Sequence, residues 1–381
     1  MLSCGIVGLP NVGKSTLFNA LLKKQQALAA NYPFATIEPN VGIVPVPDER
    51  LNSLAELVKK EEKMEELPPL VPAVVRFVDI AGLVKGASIG EGLGNKFLSH
   101  IRETDAIVQV VRDFSDENVI RAGAINPASD IETVNTELAL ADLQSVQNQL
   151  AKIKSQRFNP ALKEEVALKT SALEKFDAGL NSGKMARDIE LSEKEKEATA
   201  DLNLLTAKPL IYAMNVDEAD SKVKSSPEGS GLSDPSGVDE KVRAAVGNNP
   251  VVIVCAKLEA ELSELPEADQ EAYLKELGVT ERGLNKVIRA AYDILGLQTY
   301  LTAGPKEVRA WTIKKGDSAP AAAGVIHTDF QRGFIAAEVI SCQDLLAVGS
   351  YKSAREKGKI RLEGREYLVR DGDVIEFRFS V

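Results

Sequence analysis

Eight consecutive residues, Gly8 to Ser15, have the types and spacing of a phosphate-binding site, because they read G-x-x-x-x-G-K-S. In this pattern the glycines let backbone N–H groups point at the phosphates of a nucleotide, the lysine reaches the β- and γ-phosphates, and the serine hydroxyl binds Mg²⁺. The apolar segment 4–7 precedes the turn and the helical segment 16–22 follows it, which sets a helix N-terminus against the anion. The sequence therefore favours a phosphate-binding loop over an ordinary glycine-rich turn, with Lys14 neutralising phosphate charge.

A second motif, D-x-x-G at Asp79 to Gly82, follows the apolar segment 74–78. In switch-type nucleotidases this aspartate holds the hydration shell of Mg²⁺, and the glycine N–H senses the γ-phosphate. We therefore expect Asp79 and Gly82 to act in catalysis together with Lys14. The next position, where many GTPases carry a water-orienting glutamine, is Leu83. Leucine neither orients water nor takes a proton, so intrinsic hydrolysis is expected to be slow and to need another group, a partner or the substrate itself.

Two further polar residues are candidates for holding cations. Thr36 lies in the segment 31–40, between two prolines, and is the candidate that completes the Mg²⁺ shell together with Ser15; the alternative is a threonine in an ordinary proline-bounded turn. Asn11, inside the phosphate loop, is positioned to help ligate K⁺ between the phosphates, which would place positive charge where an arginine finger acts in other enzymes. Equal turnover in K⁺ and Na⁺ buffers would exclude the K⁺ hypothesis.

A base-reading motif follows the apolar segment 209–214 and reads Asn215-Val216-Asp217-Glu218. A guanine-specific site would read Asn-Lys-x-Asp there, so Val216 replaces the lysine that packs over the base and Glu218 replaces the aspartate that reads guanine. The Asn215 amide can satisfy the N6 donor and N7 acceptor of adenine. We therefore expect ATP to be preferred and GTP to bind more weakly. After a further apolar strand, Cys255 and Ala256 fit the loop that lies behind the base.

The elements around these motifs predict an α/β core interrupted by helices. After residue 126 the period becomes helical, with apolar residues at 3-4-3 spacing over 143–153 and a capping box that begins at Ser192. We predict a helical hairpin arm over 127–203, inserted in a nucleotide-binding core that covers 1–126 and 204–296. The arm either buries its apolar stripe within itself or uses its outer face to dock on a macromolecule. From residue 297 onwards the pattern changes to short strands, predicted at 308–313, 333–339, 367–369 and 374–379.

Bulk composition narrows the class of protein. The 381 residues carry a net charge of −10, which argues against non-specific binding to DNA by the whole surface. The three cysteines are far apart in the sequence and suggest neither a disulfide framework nor a metal site. The first apolar stretch leads directly into the phosphate loop, and no run of about 18 apolar residues occurs. We therefore expect a cytoplasmic protein with no membrane contact.

These motifs resemble those of the YchF-type proteins, the Obg-like ATPases of the Obg branch of translation-factor GTPases. The resemblance covers nearly the whole chain and is most specific over residues 8–16, 31–40, 77–102, 135–143 and 297–313. It implies a P-loop NTPase core of Rossmann-like topology, an inserted α-helical hairpin arm, and a C-terminal TGS domain of β-grasp fold over 297–381. It also implies ATP binding in preference to GTP, Mg²⁺ as cofactor, and association with ribosomes.

The resemblance implies roles for individual residues as well. The phosphate contacts would come from Asn11, Val12, Gly13, Lys14, Ser15 and Thr16; the Mg²⁺ ligands would be Ser15 and Thr36, and the base contacts Asn215 and Val216. One departure is Arg121, at a position where such proteins often carry a histidine implicated in hydrolysis. Arginine can stabilise phosphate charge but cannot act as a base at neutral pH.

Two observations leave the function open at this level. Residues 352–370 hold seven basic and three acidic side chains, so this part of the C-terminal domain, like the arm, either contacts ribosomal RNA or is a solvated basic face. The chain as a whole is either an ATPase switch, a GTP-specific translation factor, or a binding module in which nucleotide gates docking and hydrolysis is incidental.

Overall fold

The computed structural model describes residues 1–31, 40–80, 93–115, 125–155, 163–223, 239–279 and 281–380. Contacts between residues divide the chain into two units, Met1–Gly42 with Arg76–Ala291 and Ile43–Val75 with Tyr292–Val381. This grouping assigns residues 43–75 to the C-terminal unit, whereas the sequence grouped them with the nucleotide-binding core. The three-domain division stays a prediction. Within the described residues, no helix is both long and apolar enough to cross a membrane.

The strands of the first sheet are β1 (Ser3–Val7), β2 (Val41–Pro45), β4 (Val74–Asp79), β5 (Ala106–Asp113), β6 (Leu210–Val216) and β7 (Val251–Val254), and they stand in the order β2-β4-β1-β5-β6-β7. The helices of the first unit are α1 (Lys14–Asn31), α3 (Leu93–Arg102), α4 (Pro127–Ser155), α5 (Lys163–Asn181), α6 (Glu193–Thr199), α7 (Glu218–Val223), α8 (Glu240–Val246), α9 (Ala256–Leu262), α10 (Glu267–Glu276) and α11 (Gly283–Ile294).

The order of strands in this sheet explains where the motifs meet. Strands β4, β1, β5, β6 and β7 pair in parallel, and β1, β6 and β7 are buried along their whole length. Apolar residues on both faces are typical of parallel strands covered by helices on both sides. The strands that follow β1 in the chain, β2 and β4, lie on one side of it in the sheet. The later strands β5, β6 and β7 lie on its other side. The carboxyl end of β1 is therefore the point where strand order reverses, which is where ligands bind in open α/β sheets.

The predicted helical arm is formed by α4 and α5. Its apolar stripe is largely buried within the arm: Val146, Leu173 and Phe176 form a buried cluster, against which Leu143 and Leu150 pack. The capping box is also present, because the Ser192 hydroxyl accepts from the backbone N–H of Glu195. The structure thus confirms the stripe and the cap that the sequence predicted.

One buried carboxylate ties the arm to the short turn that precedes β6. Asp142, on α4, is fully buried and accepts hydrogen bonds from the backbone N–H groups of Leu205 and Thr206 at 2.8 and 2.7 Å. Burial raises the pKa of this carboxyl group, and the hydrogen bonds that it accepts partly oppose the rise. The arm is therefore anchored at its base by a buried polar contact as well as by apolar packing.

The strands of the second sheet are β3 (Leu70–Val71), β8 (Leu297–Ala303), β9 (Val308–Lys314), β10 (Phe334–Ser341), β11 (Arg361–Glu363) and β12 (Asp373–Phe379), in the order β11-β10-β12-β8-β9-β3. The helices of the second unit are α2 (Arg50–Glu62), α12 (Ala319–Ile326), α13 (Thr328–Arg332), α14 (Cys342–Val348) and α15 (Tyr351–Glu356). Its core lies between this sheet and α12, with Tyr300 and Phe334 among the buried residues.

The segment 43–75 contributes both a strand and a helix to this unit. Strand β3 pairs in parallel with β9, with Leu70 opposite Val308. The Glu61 carboxylate, at the end of α2, accepts from the backbone N–H groups of Tyr351 and Lys352 at 3.0 and 3.2 Å and so caps the start of α15. An acidic side chain at a helix N-terminus is favourable because it satisfies otherwise unpaired N–H groups.

The predicted strand over 367–369 is wrong. Leu368 forms only an isolated bridge with Ser318, and its neighbours Tyr367 and Val369 belong to no strand. The Tyr367 carbonyl oxygen accepts from the Ala319 N–H at 2.8 Å, and the Val369 N–H donates to the Asp317 carbonyl oxygen at 3.0 Å, so the segment forms a single bridge that does not extend into a ladder. The other three predicted strands in this region correspond to β9, β10 and β12.

Candidate functional site

The phosphate-loop sequence forms the turn between β1 and α1, and its backbone needs glycine at two positions. Gly8 has a φ of +150°, and a Cβ there would lie 2.5 Å from the Val110 carbonyl oxygen. Gly13 has a φ of +96°, and its Cβ would lie 2.2 Å from the side-chain nitrogen of Asn215. Asn11 also has a positive φ, 60°, which asparagine tolerates better than most residues. The loop therefore packs so closely against β5 and β6 that positions 8 and 13 have no room for a side chain larger than hydrogen.

Lys14 is the first residue of α1 and is 7% exposed. Its ammonium group donates a hydrogen bond to the Leu9 carbonyl oxygen at 2.6 Å, so its side chain bends back over the loop. Burial lowers its pKa to about 8, and the nearby Asp79 carboxylate opposes that change. A partly desolvated cation over a loop of backbone N–H groups is suited to a polyanion such as a nucleotide phosphate chain.

Asp79 ends β4, next to the carboxyl end of β1, because Ile6 is its partner in the parallel ladder. Burial raises the pKa of its carboxyl group, and Lys14 opposes the rise. Ser15 and Thr16, in the first turn of α1, are exposed. A hydroxyl oxygen on the helix and a carboxylate oxygen at the strand end are hard donors of the kind that Mg²⁺ prefers, and Mg²⁺ usually completes its shell with water and phosphate oxygens. The donor set therefore fits Mg²⁺.

Asn215 joins three segments of the site. Its side-chain nitrogen donates to the Val12 carbonyl oxygen at 2.9 Å, and its side-chain oxygen accepts from the Ala256 N–H, also at 2.9 Å. Asn215 is 4% exposed, and Val12 and Ala256 are each 2% exposed. Because an amide has two N–H donors and an oxygen with two lone pairs, one donor and one acceptor remain for a base. Asn215 thus holds the phosphate loop and the loop after β7 together.

The other residues of the base-reading motif, Val216 to Glu218, differ in their burial and in their contacts. Val216 is buried, and the Asp217 carboxylate accepts from the backbone N–H and the hydroxyl of Ser115 at 3.1 and 3.3 Å. Glu218 is exposed and begins α7. Cys255 is buried at the N-cap of α9, and burial raises its pKa, so its thiol is protonated at neutral pH. Of the two carboxylates in the motif, Asp217 is therefore used to connect β6 to the end of β5.

A buried ion pair behind the base loop was not predicted from the sequence. On α9, the Glu259 carboxylate accepts from the Arg282 guanidinium at 2.9 Å and from the Leu284 N–H at 3.1 Å. Glu259 and Arg282 are 2% and 8% exposed. Because α9 begins at Ala256, this pair fixes the helix that presents the Ala256 N–H to Asn215. The two residues are 23 positions apart and match no motif, so the sequence carried no signal for the pair.

The fold brings together most of the predicted site residues that it describes. Lys14 and Asp79 interact electrostatically, and the Asn215 side chain connects Val12 to Ala256. Thr36, Gly82, Leu83 and Arg121 lie outside the described residues. Their predicted roles, like those of the other site residues, stay predictions.

Comparison with known proteins agrees with this arrangement. A family model described as a 50S ribosome-binding GTPase matches residues 3–153, and a model for the YchF GTPase C-terminal domain, described as a protein of unknown function, matches residues 297–380. The Ribosome-binding ATPase YchF of Bacillus subtilis is 49% identical over 385 residues, covering 100% of both chains. The protein of the same name from Haemophilus influenzae is 50% identical over 380 residues, covering 99% of each. The chain belongs to the YchF family.

The solved structures agree with this conclusion. A structure described as that of the Schizosaccharomyces pombe YchF GTPase is 36% identical and has a TM-score of 0.84, covering 99% of this chain and 97% of that one. The YchF resemblance is confirmed. The fold class predicted from the sequence, a Rossmann-like P-loop core with an inserted helical hairpin arm and a C-terminal β-grasp domain, is confirmed as a P-loop GTPase domain followed by the YchF C-terminal domain. The names of these relatives indicate different nucleotides: the two bacterial proteins are called ATPases, and the yeast protein is called a GTPase.

Proposed function

We propose that this protein is a slow, Mg²⁺-dependent ATPase that works as a nucleotide-controlled switch on the ribosome. The observation that carries the proposal is the phosphate loop, with Lys14 bent over it and Asn215 fastening it to the loop after β7. The bacterial relatives, about half identical over the full chain, are named ribosome-binding ATPases. The reaction is cleavage of the bond between the β- and γ-phosphates by water.

In this proposal the chain's own residues bind and orient the phosphates. The N–H groups of residues 11–16 hold them, and the Lys14 ammonium exchanges the Leu9 carbonyl for phosphate oxygens. Ser15 and Thr36 would hold Mg²⁺ directly and Asp79 would hold it through water; bound there, Mg²⁺ would neutralise charge on the β- and γ-phosphates. Gly82 would report the γ-phosphate through its N–H. Asn11 would hold K⁺ as a second cation.

The preference for ATP rests on the contacts of the base motif. Asp217 is already engaged with Ser115, and Glu218 is one methylene longer than the aspartate of a guanine site. The free donor and acceptor of Asn215 match the edge of adenine. Val216, Cys255 and Ala256 would pack around the base. A GTP-specific switch is the second candidate, because one solved YchF relative is named a GTPase.

The ribosome is the proposed partner, and we place the protein in the cytoplasm for that reason. Contact with ribosomal RNA would come from the arm and from a TGS-type C-terminal unit. In that unit, several of the basic residues over 352–370 are neutralised by ion pairs: Arg355 with Glu338 and Glu376, Lys359 with Asp344, and Arg361 with Glu363. The exposed side chains of Lys352, Lys357 and Arg370 form no ion pair with another described residue, so they are the better candidates for phosphate contacts.

Calorimetric titration of nucleotide-free protein with non-hydrolysable ATP and GTP, each with Mg²⁺, tests the proposal directly. We expect tighter binding of the ATP analogue. Tighter binding of the GTP analogue would contradict the interpretation of Asn215, Val216 and Glu218 and favour the GTPase. Co-sedimentation with ribosomes then separates a switch from a scaffold: if a Lys14→Ala variant, unable to bind nucleotide, still binds ribosomes with unchanged affinity, nucleotide does not control docking.

A further inference from the structure

The second sheet is open in its middle. Strands β8 and β12 run parallel as neighbours, but the ladder between them holds one register pair, Leu301 opposite Val374. By contrast, β8 pairs with β9 at every position from Leu297 to Ala303, and β12 pairs with β10 from Asp373 to Phe379. Beyond Val374, the edge of β12 that faces β8 therefore has no strand partner among the described residues.

A cavity of about 550 Å³ occupies this opening. Thr302 and Ala303 line it from β8, and Ile375 and Phe377 line it from β12; we call it the β8–β12 cavity. Pockets of roughly 300–1,000 Å³ are the usual size of ligand sites, so this volume is large enough for a specific ligand. All of its lining residues lie in the C-terminal unit, and none belongs to the nucleotide site.

The chemistry of the lining selects for an uncharged, apolar ligand. Most of its side chains are aliphatic or aromatic, including Ile340, Ile360 and Phe330. The charge at the rim is largely balanced, because Arg355 lies 3.2 Å from Glu338 and 3.5 Å from Glu376. A ligand with a net charge would have to compete with these pairs, whereas an apolar one would not.

The lining also offers one polar group suited to orienting a ligand. Tyr351 lines the cavity, and no other described residue forms a hydrogen bond with its hydroxyl group. Burial raises the pKa of Tyr351, with Glu376 and Glu61 adding to the rise, so the hydroxyl stays protonated and is available as a donor.

We propose that the β8–β12 cavity binds an extended, uncharged, apolar peptide segment of a partner protein, which adds a strand beside the open edge of β12. An unpaired strand edge presents alternating backbone N–H and C=O groups, which an extended peptide matches, and the side pockets of such a site receive alternate side chains. Four residues of extended peptide span about 13 Å and would pair along Ile375 to Arg378. A purely aliphatic ligand would use the apolar lining but leave the strand edge unpaired.

The test is fluorescence polarisation on the full-length protein without nucleotide. The probe is a labelled, end-capped peptide of sequence Thr-Val-Phe-Val-Thr. A matched peptide carries N-methyl groups on alternate backbone nitrogens, which keeps the side chains but removes the donors that a strand would use. We expect the first peptide to bind and the methylated one to bind at least about ten-fold more weakly, since two or more hydrogen bonds are lost.

Two variants locate the site. Ala303→Trp fills the cavity and should weaken binding about ten-fold or more, whereas Lys314→Trp, on an exposed residue of β9 outside the lining, should leave it unchanged. If Ala303→Trp fails to fold, hydrogen exchange of the unaltered protein replaces it, and the peptide should slow exchange of amides over 375–378. No binding, equal binding of both peptides, or protection elsewhere in the chain would each overturn the proposal. Because nucleotide affinity is measured separately, failure here leaves the proposed ATPase untouched.

Discussion

Replacing Asn215 by alanine should loosen the phosphate loop and lower stability at the same time. The substitution removes the donor to the Val12 carbonyl and the acceptor for the Ala256 N–H, both at 2.9 Å. Both backbone groups are buried, so water cannot replace the lost partner without opening the structure. Because Val12 is part of the loop that holds phosphate, the variant should also bind ATP more weakly.

The magnitude follows from these two contacts. A buried polar group left without its hydrogen bond costs about 1–3 kcal/mol, so the free energy of unfolding should fall by roughly 2–6 kcal/mol. Asn135 offers a matched control, since its side chain donates to the Tyr212 hydroxyl at 3.1 Å in the same unit but outside the site. Asn135→Ala should cost about 1 kcal/mol and leave ATP affinity unchanged.

The assay is urea unfolding followed by far-ultraviolet circular dichroism, with calorimetry for ATP binding. Tryptophan fluorescence is unsuitable because the chain has a single tryptophan, Trp311, which lies in the second unit. A loss in Asn215→Ala of less than about 0.5 kcal/mol, the size of an ordinary surface change, would refute the reasoning on the buried contacts. A full loss of stability with unchanged ATP affinity would refute the link between this side chain and the phosphate loop.

Four further predictions concern the same unit. Gly13→Ala should abolish nucleotide binding in calorimetry and lower stability by about 2 kcal/mol or more, because it combines a φ of +96° with a Cβ 2.2 Å from a side-chain nitrogen. The affinity for an ATP analogue, measured by calorimetry, should fall as pH rises through about 8, where Lys14 loses its proton. The free energy of unfolding should rise as pH increases from about 8, the pKa of Lys14 in the folded protein, to its ordinary value of 10.5, because in this interval the unfolded lysine still binds the proton that the folded one has lost. Arg282→Lys should lower stability by about 1–3 kcal/mol in urea unfolding, since the buried Glu259 keeps its charge but loses the planar partner, whereas Lys23→Ala, at an exposed ion pair, should cost less than about 1 kcal/mol.

The sequence predicted the phosphate loop well because its requirements are local. Gly8 and Gly13 are needed for backbone geometry, and Lys14 follows directly, so the pattern is complete within eight residues. The role of Asn215 was only half predictable. The motif marked it as a base contact, but its bonds to Val12 and Ala256 join residues 203 and 41 positions away, which only the folded sheet brings together.

In the C-terminal unit, too, the sequence predicted local elements better than contacts between distant residues. Strands β9, β10 and β12 are rich in β-branched and aromatic residues, and the sequence located them. The segment 367–369 has a similar composition, but its backbone pairs with residues 317–319 at a single bridge only, and composition does not encode how far the pairing extends. Residues 43–75 gave no sign that they belong to this unit, because their partners in β9 and α15 come much later in the chain.

The segment 43–75 packs against β9 and α15, which are synthesised much later, and this order affects how the nascent chain can fold. Leu70 leaves the ribosome roughly 240 residues before Val308, with which it pairs, and at about 5–20 residues per second this is an interval of roughly ten to fifty seconds. During that time the apolar face of α2, including Leu54 and Ala55, has no sheet to cover it. A nascent chain in this state is a natural client for chaperones, and a fragment that starts at residue 297 would lack a helix and an edge strand of its own unit.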